Sequence, residues 1–309
     1  MATHELRDEQ VHYTWSARHE PRLRVRPGDS VRLVTRDGFD GQMAGVRGSE
    51  LDANPGPIDF SRVAPLTGPI FIEGARPGDV AVVRIDRLAP LGAGWTVIWP
   101  AWSDFDFARP HGLPPGAHVI EFDAGSLERE GVVELDGARV RLRPMLGMVG
   151  TAPARGEFTT LPPRAFGGNM DLRLVAEGAT VYLPVFAEGA LVSLGDGHAA
   201  QGDGEVCTTA IECGMSVEVT LDLRRGRIIE EPEVETRDAY LVTAFGRDLD
   251  TAARKAIRFM HRHLVEVRGL RPEIAYAFMS LVGNLGVNQV VDTPHVGVRF
   301  SIPLEAVKR

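Results

Sequence analysis

Apolar and polar residues alternate in short runs along most of the chain. Leu23 and Val25 alternate with arginines ahead of a Pro-Gly-Asp turn, and the same period of two recurs over Met215–Leu223. This alternation is typical of β-strands with one buried face. We predict three more strands near residues 119–122, 132–135 and 140–144, the last two joined by an Asp136-Gly137 hairpin turn.

One phrase of the sequence occurs twice. Arg26-Pro-Gly-Asp and Arg76-Pro-Gly-Asp are each followed by an apolar strand pattern. Two copies suggest two similar β-units, although turns of this composition are common enough to recur by chance. We predict an N-terminal β region over residues 1–165, with the two turn units, and a catalytic β region with C-terminal helices over residues 166–309, the two packed closely together.

A long helical pattern covers residues 248–267. Leu249, Ala253 and Ile257 begin an apolar stripe at the helical period, an aspartate at 248 or 250 can cap its start, and Gly269 can end it. A second helix is predicted after Pro272. The fold class that follows is mostly β, built of sandwich-like or barrel-like units, with a small α+β section near the C-terminus.

Residues 89–115 are rich in glycine, proline and aromatic side chains, and they include Trp95, Trp99 and Trp102. Such a composition predicts a long ordered loop. The loop could form the wall of a small pocket, or it could pack against the edge of a sandwich.

Composition and charge exclude several classes of function. The formal net charge of −8 comes with no basic stripe that could neutralise phosphates, so we expect no nucleic-acid partner. No apolar run approaches the roughly 20 residues that cross a bilayer, so we expect no membrane association. Cys207 and Cys213 are the only cysteines, and we predict reduced thiols in a cytoplasmic protein.

Candidate chemistry is concentrated between Gly167 and Glu212. Asp196 and His198 would point to the same side of an extended chain, and the pair Asp203 and Glu205 has the same spacing. Glycines separate these side chains and let the backbone approach a ligand closely. Carboxylates and an imidazole are ligands of zinc or of a hard divalent ion. Alternatively, these Asp-Gly pairs are ordinary hairpin turns with their acids in solvent.

Four segments carry a resemblance to a known family: residues 68–80, 167–171, 182–186 and the phrase Gly-Asp-Gly-His-Ala-Ala-Gln-Gly-Asp-Gly-Glu at 195–205. They resemble the acetamidase/formamidase family over nearly the whole chain. The resemblance implies a cytoplasmic hydrolase of short aliphatic amides, built on β-structure and assembled as a homodimer or a larger homo-oligomer.

Amide hydrolysis needs an activated water, a stabilised oxyanion and a proton for the leaving nitrogen. A divalent metal supplies the first two. We predict that it is zinc, with calcium as the alternative. The hypothesis assigns roles to nine residues: His198, Asp196 and Asp171 as metal ligands; Glu212, Glu205 and Asp203 as catalytic acids or bases; Asn169, Gln201 and Gly168 as substrate-binding residues.

One competing mechanism and two other classes of function remain open at this point. A serine route lacks the Gly-x-Ser-x-Gly elbow, and Ser193 lies inside a strand pattern. A β-module that binds a metal or a sugar without turnover would use the same residues, as would a β-protein that binds calcium for stability. No arginine or lysine occurs in residues 195–212, so an enzyme would act on a small neutral amide.

Overall fold

Strands dominate the structure, a computed structural model that describes residues 2–7, 9–52, 56–99, 111–113, 116–129 and 131–307. The described strands are β1 (Thr3–Leu6), β2 (Val11–His12), β3 (Thr14–Ser16), β4 (Leu23–Val25), β5 (Asp29–Thr35), β6 (Leu66–Ile72), β7 (Val80–Ile98), β8 (His118–Phe122), β9 (Val132–Leu135), β10 (Ala138–Arg141), β11 (Met145–Gly150), β12 (Glu157–Thr159), β13 (Gly167–Asn169), β14 (Thr180–Pro184), β15 (Val192–His198), β16 (Glu212–Arg224), β17 (Glu233–Glu235), β18 (Ala239–Gly246), β19 (Asn284–Gln289) and β20 (Val296–Pro303). The mostly-β class that the sequence predicts is confirmed.

Helices are few. The α-helices are α1 (Gly48–Leu51), α2 (Ala124–Arg129), α3 (Leu249–Arg262) and α4 (Pro272–Val282), with 3₁₀ turns at Phe60–Arg62 and Leu304–Ala306 and a π-helical turn at His263–Val267. No helix within the described ranges is both long and apolar enough to cross a membrane.

Sixteen of the described strands form one branched sheet. Its main path runs β13-β11-β15-β16-β7-β14-β17-β18-β20-β19, and β6 and β5 join it beside β15 and β16. β16 pairs with β7 along its whole length and with β5 over Met215–Leu221, so apolar side chains on one face of all three strands enter the same core. Strands from both sides of the predicted boundary at residue 165 pair with one another. This pairing is consistent with two closely packed regions. The position of the boundary stays a prediction.

The two Arg-Pro-Gly-Asp turns have the same conformation. In each, the aspartate amide donates to the arginine carbonyl at 3.0 Å, and the aspartate carboxylate accepts from the arginine amide. Gly28 and Gly78 have φ values of 91° and 94°, which only glycine adopts freely, and the preceding proline fixes the first central residue of the turn. The first turn leads into β5 and the second into β7.

The predicted long helix is confirmed and lies on the C-terminal part of the sheet. Asp248 caps it by accepting a hydrogen bond from Thr251 N at 2.7 Å. Ala252, Ala256, Phe259 and Met260 face β18 and β20. The buried stripe is therefore rotated from the predicted one: Leu249 is exposed, and Ala253 and Ile257 are half-buried. The helix then widens into the π-helical turn, and Gly269 follows with a positive φ of 71°.

The prediction of one long loop over residues 89–115 is wrong in its first part. β7 continues to Ile98 because its later residues pair with β16 on one side and with β8 on the other. Ladder bonds on both edges outweigh the low strand propensity of Gly92 and Gly94. Trp102 and the rest of 100–110, with 114–115, lie outside the described residues.

Candidate active site

Neighbouring strands bring the acids and the histidine together. β15 ends with Asp196 and His198, β16 begins at Glu212, and His198 lies directly opposite Glu212 in the ladder that joins the two strands. β11, on the other edge of β15, also pairs with β13, which ends at Asn169. Asp171 follows two residues later, so strand pairing gathers residues that are distant in sequence.

His198 is the centre of this group and is only 1% exposed. Its Nε2 atom lies 3.3 Å from Asp196 Oδ2 and 3.1 Å from Glu212 Oε1, and its Nδ1 atom lies 3.9 Å from Asp171 Oδ1. Asp196 and His198 therefore point to the same side of β15, as their spacing predicts.

The Gln201 carboxamide fixes the orientation of the imidazole. Gln201 Nε2 donates to the Asp171 carbonyl at 2.6 Å, so Gln201 Oε1 faces His198 Nδ1 at 2.9 Å and accepts its hydrogen. The Nε2 atom of His198 is left between two carboxylates. A lone pair facing two anions is repulsive, so this position needs a cation, either a proton or a metal ion.

Several carboxyl groups surround the imidazole in a dry environment. Asp171, Asp196, Glu205 and Glu212 are buried, and Asp292 adds a buried Oδ2 atom. Four oxygens have no hydrogen-bond partner among the described residues: Asn169 Oδ1, Asp171 Oδ1, Glu212 Oε2 and Asp292 Oδ2. Buried acceptors without donors are costly, and all four unpartnered atoms are acceptors.

The electrostatics of the group follow from this crowding. Burial raises the pKa of Glu212 to about 7. Burial and neighbouring carboxylates raise the pKa values of Asp171, Glu205 and Asp292 well above the ordinary range. Burial alone would lower the pKa of His198, but the charges of Glu212 and Asp196 raise it well above 6.5. These directions mean that the buried acids and the imidazole favour binding of protons or of a cation.

A small cavity of about 40 Å³ lies against these acids. Its polar side holds the oxygens described above, with Thr208 and Thr209. The lining also includes five apolar residues: Phe39, Val63, Ala64, Met148 and Leu161.

The donor set fits a divalent metal ion. Ligand atoms of Asp171, Asp196 and His198 lie within 4.8 Å of one another, and so do those of His198, Glu205 and Glu212 and those of Asp171, Glu205 and Asp292. The unpartnered oxygens would gain a partner if such an ion bound.

Two glycines keep room for the carboxylates. A Cβ atom at Gly147 would stand 2.3 Å from Asp196 Oδ2 and 2.5 Å from Asp171 Oδ1. A Cβ atom at Gly38 would stand 2.7 Å from Asp196 Oδ1 and 2.8 Å from Glu212 Oε2. Any side chain at either position would push the acids out of place.

Three of the acids sit on unusual backbone. Asp171, Asp196 and Glu205 have φ values of 41°, 57° and 48°, in the left-handed region that few non-glycine residues adopt. Conformations of this kind are concentrated at functional sites, where the surrounding structure imposes them.

Four of the nine predicted residues are not part of the cavity lining: Gly168, His198, Gln201 and Asp203. Asp203 pairs with Arg173 at 2.8 Å and with Arg299 at 2.7 Å, which joins its loop to β20. Gly168 pairs with Val149 in the β11–β13 ladder and packs near the Trp15 ring, outside the cavity lining. Gln201 has both ends of its carboxamide bound within the protein, whereas Asn169 lines the cavity.

Asp292, Gly38 and Gly147 reach the site without having been predicted. Asp292 is held by Gln289, whose Oε1 atom accepts hydrogen bonds from the Val291 and Asp292 amides at 2.8 and 3.0 Å. The only signal for Asp292 in the sequence is that an acid directly follows the apolar pair Val290 and Val291.

The whole chain matches the model of the Acetamidase/Formamidase family, over residues 2–157 and 154–309. The chain belongs to this family. It is 29% identical to an acetamidase of Mycolicibacterium smegmatis over 72% of this chain and 68% of the relative. It is 27% identical to a formamidase of Methylophilus methylotrophus over 64% of this chain and 60% of the relative, so part of each relative has no counterpart in the aligned region.

A solved structure agrees over the entire length. The crystal structure of a predicted acetamidase/formamidase from Thermoanaerobacter tengcongensis superposes with a TM-score of 0.89 at 32% identity and covers 99% of both chains.

The role of Gln201 is testable. Replacing Gln201 by leucine removes both hydrogen bonds, so His198 should lose its fixed tautomer and zinc affinity should fall about 10–100-fold, as is usual when a residue that orients a metal ligand is lost. Competition with a chelating dye measures the affinity, and ¹⁵N NMR of the imidazole reports the tautomer. Gln10→Leu, at an exposed position, is the matched control. Unchanged affinity and an unchanged His198 spectrum in Gln201→Leu would contradict this role.

Proposed function

We propose that this protein hydrolyses a short, neutral aliphatic amide to a carboxylate and ammonia, with a water activated at a divalent metal ion. The reaction class, hydrolysis of a linear amide C–N bond, is that of the family to which the chain belongs. The observation that carries the substrate and the metal is the cavity itself. Its unpartnered polar atoms are all oxygen acceptors, and no arginine or lysine is among the described residues that line it.

Metal binding is assigned to the imidazole and to the carboxylates around it. We propose His198 Nε2, Asp196 and Asp171 as ligands, with the carboxylates of Glu205 and Asp292 next to them. A divalent ion held there supplies the Lewis acidity that makes water acidic near neutral pH and polarises an amide carbonyl. Zinc is our first choice because an imidazole takes part, and calcium is the alternative because carboxylates predominate.

Glu212 is the best candidate for the general base. Its Oε2 atom is unpartnered and buried beside the cavity, and its pKa of about 7 lets it both accept and release a proton near neutral pH. It would take a proton from the attacking water and deliver it to the amide nitrogen as the C–N bond breaks. Glu205 is the alternative base, since it lines the same cavity.

Asn169 is proposed to bind the amide group. Its Oδ1 atom is buried and unpartnered, and it can accept a hydrogen bond from the substrate NH₂. The apolar side of the cavity would then receive the short acyl chain. A substrate carboxylate would face the acids with no arginine or lysine among the described lining residues to pair with it, which is why a neutral amide is favoured.

The serine route has one supporting contact and one obstacle. Ser193 Oγ lies 3.0 Å from His12 Nε2, and His12 Nδ1 bonds the Thr14 carbonyl at 2.8 Å. This resembles a nucleophile with its base. Ser193 is only 1% exposed, however, and its Oγ lies 2.7 Å from where a Cβ would stand at Gly68, so a substrate has no room beside it.

A panel of amides tests the proposal against a binding module without turnover. Formamide, acetamide and propionamide should release ammonia, and the monoamide of succinate should be turned over at least about 10-fold more slowly, because its carboxylate would stay unpaired beside the acids. Ammonia release should stop on chelation and return when zinc or calcium is added. An inactive, fully metallated protein would contradict the function, and a preference for the charged amide would contradict the substrate class.

We also propose a cytoplasmic homo-oligomer. Cys207 and Cys213 are free thiols, which suits a reducing compartment. α4, which leads into β19 at the end of the sheet path, exposes Ile274, Tyr276 and Leu281. Exposed apolar side chains near the end of a sheet favour contact with a second copy. Light scattering should give at least twice the monomer mass, and Leu281→Glu should shift it toward the monomer; a monomeric wild type would contradict this.

A further inference from the structure

One short segment contributes to the lining of two cavities. Gly38 and Phe39 line the acid-lined cavity of about 40 Å³, and Asp37 and Gly41 line a larger cavity of about 640 Å³. The segment from Asp37 to Gly41 therefore borders both.

The strand pairing shows the same division. Glu212 of β16 lines the small cavity, and Trp95, its direct partner on β7, lines the large one. The rings of Phe39 and Trp95 meet edge to face, with centroids 4.9 Å apart and an interplanar angle of 89°. One ring belongs to each cavity, so this aromatic pair stands between the two spaces.

We call the pair of Phe39 and Trp95 rings the partition. Hydrogen bonds hold the segment that carries Phe39 in place. Asp37 Oδ1 accepts from Phe39 N at 3.0 Å, Asp37 Oδ2 accepts from Gly41 N at 2.8 Å, and the Trp95 indole also donates to this carboxylate. Next to it, Asp40 accepts hydrogen bonds from Arg36 at 2.7 Å and from Tyr13 at 2.8 Å, and pairs with Arg62. Hydrogen bonds on both sides of Phe39 therefore fix the backbone of the segment that carries the ring.

The small cavity has room for few atoms. A buried water needs about 10–15 Å³ of such volume, so 40 Å³ corresponds to roughly three waters, close to the size of formamide or acetamide. The acids and the apolar side chain of Phe39 both line it. An amide whose NH₂ and carbonyl face the acids would place its acyl chain against the apolar part of the lining.

We infer that Phe39, backed by Trp95, determines how long an acyl chain the enzyme accepts, and that the larger cavity is a latent acyl subsite. This inference rests on the proposed amide hydrolysis at the acid-lined cavity. Beyond the partition, the larger cavity offers Met43, Ala44, Ala93 and Phe122 to an aliphatic chain. Asp37, Glu121 and Asp123 also line it, so it should receive neutral chains and disfavour anionic ones.

Removing the Phe39 ring should join the two cavities. We define the chain-length ratio as kcat/KM for butyramide divided by kcat/KM for acetamide. In Phe39→Ala this ratio should rise at least about 10-fold, because room for one more methylene in an apolar pocket usually changes discrimination by at least that factor. Phe39→Leu should give a smaller rise. Met43→Ala is the control, because Met43 lines the larger cavity but not the acid-lined one. Taking the ratio on one sample cancels any loss of folded enzyme.

The outcomes separate the inference from the function on which it rests. A folded Phe39→Ala enzyme with the wild-type ratio, or an equal rise in Met43→Ala, would overturn the role of Phe39. A wild type without activity on formamide and acetamide would instead overturn the proposed function. In that case, a crystal structure of Phe39→Ala still decides the partition: the cavities should be continuous, and a barrier that persists would refute it.

Discussion

The structure depends on the enclosure of several carboxyl groups around one imidazole. Burying an unpaired carboxylate costs several kcal/mol, and like charges in close contact add to that cost. Asp171, Asp196, Glu205 and Glu212 are buried within one small region, and the charge present to offset them among the described residues there is that of His198. The fold therefore needs either extra protons, in line with the raised pKa values of Asp171, Glu205 and Glu212, or a bound cation. A group of this kind lowers the stability of the fold, and such groups are concentrated at functional sites.

The surrounding structure supplies what this concentration of charge needs. β11 and the segment after Arg36 approach through Gly147 and Gly38, where any Cβ would meet the carboxylates. Asp203 lies on the same loop as Glu205 and forms ion pairs with two arginines outside the site. These ion pairs hold the loop in place. The Gly204 amide donates to the Asn288 carbonyl at 2.8 Å, which ties the same loop to the segment that leads to Asp292. Rigid support of this kind keeps the acids in place despite their repulsion.

Local signals in the sequence predict much of the fold and the centre of the site. Alternation predicts β16, the helical period and its cap predict α3, and the spacing of Asp196 and His198 places them on one face. Contacts between distant segments carry no such signal. The arginine partners of Asp203 lie at positions 173 and 299, and Asp292 enters only because β19 and β20 fold back to the site. The extension of β7 through a glycine-rich stretch likewise depends on partner strands, not on its own residues.

Metal content and turnover, measured on the same preparation of a His198→Ala variant, test the central claim most directly. If the imidazole holds the ion, the variant should lose at least about 10-fold in metal occupancy and lose turnover of acetamide, while its β-sheet circular dichroism stays that of the wild type. The metal occupancy and the turnover of Gln201→Leu should lie between those of the wild type and those of His198→Ala. Full occupancy with lost turnover would make His198 a proton carrier and not a ligand. Full turnover in a folded His198→Ala protein would contradict the assignment of this acid-lined cavity as the active site.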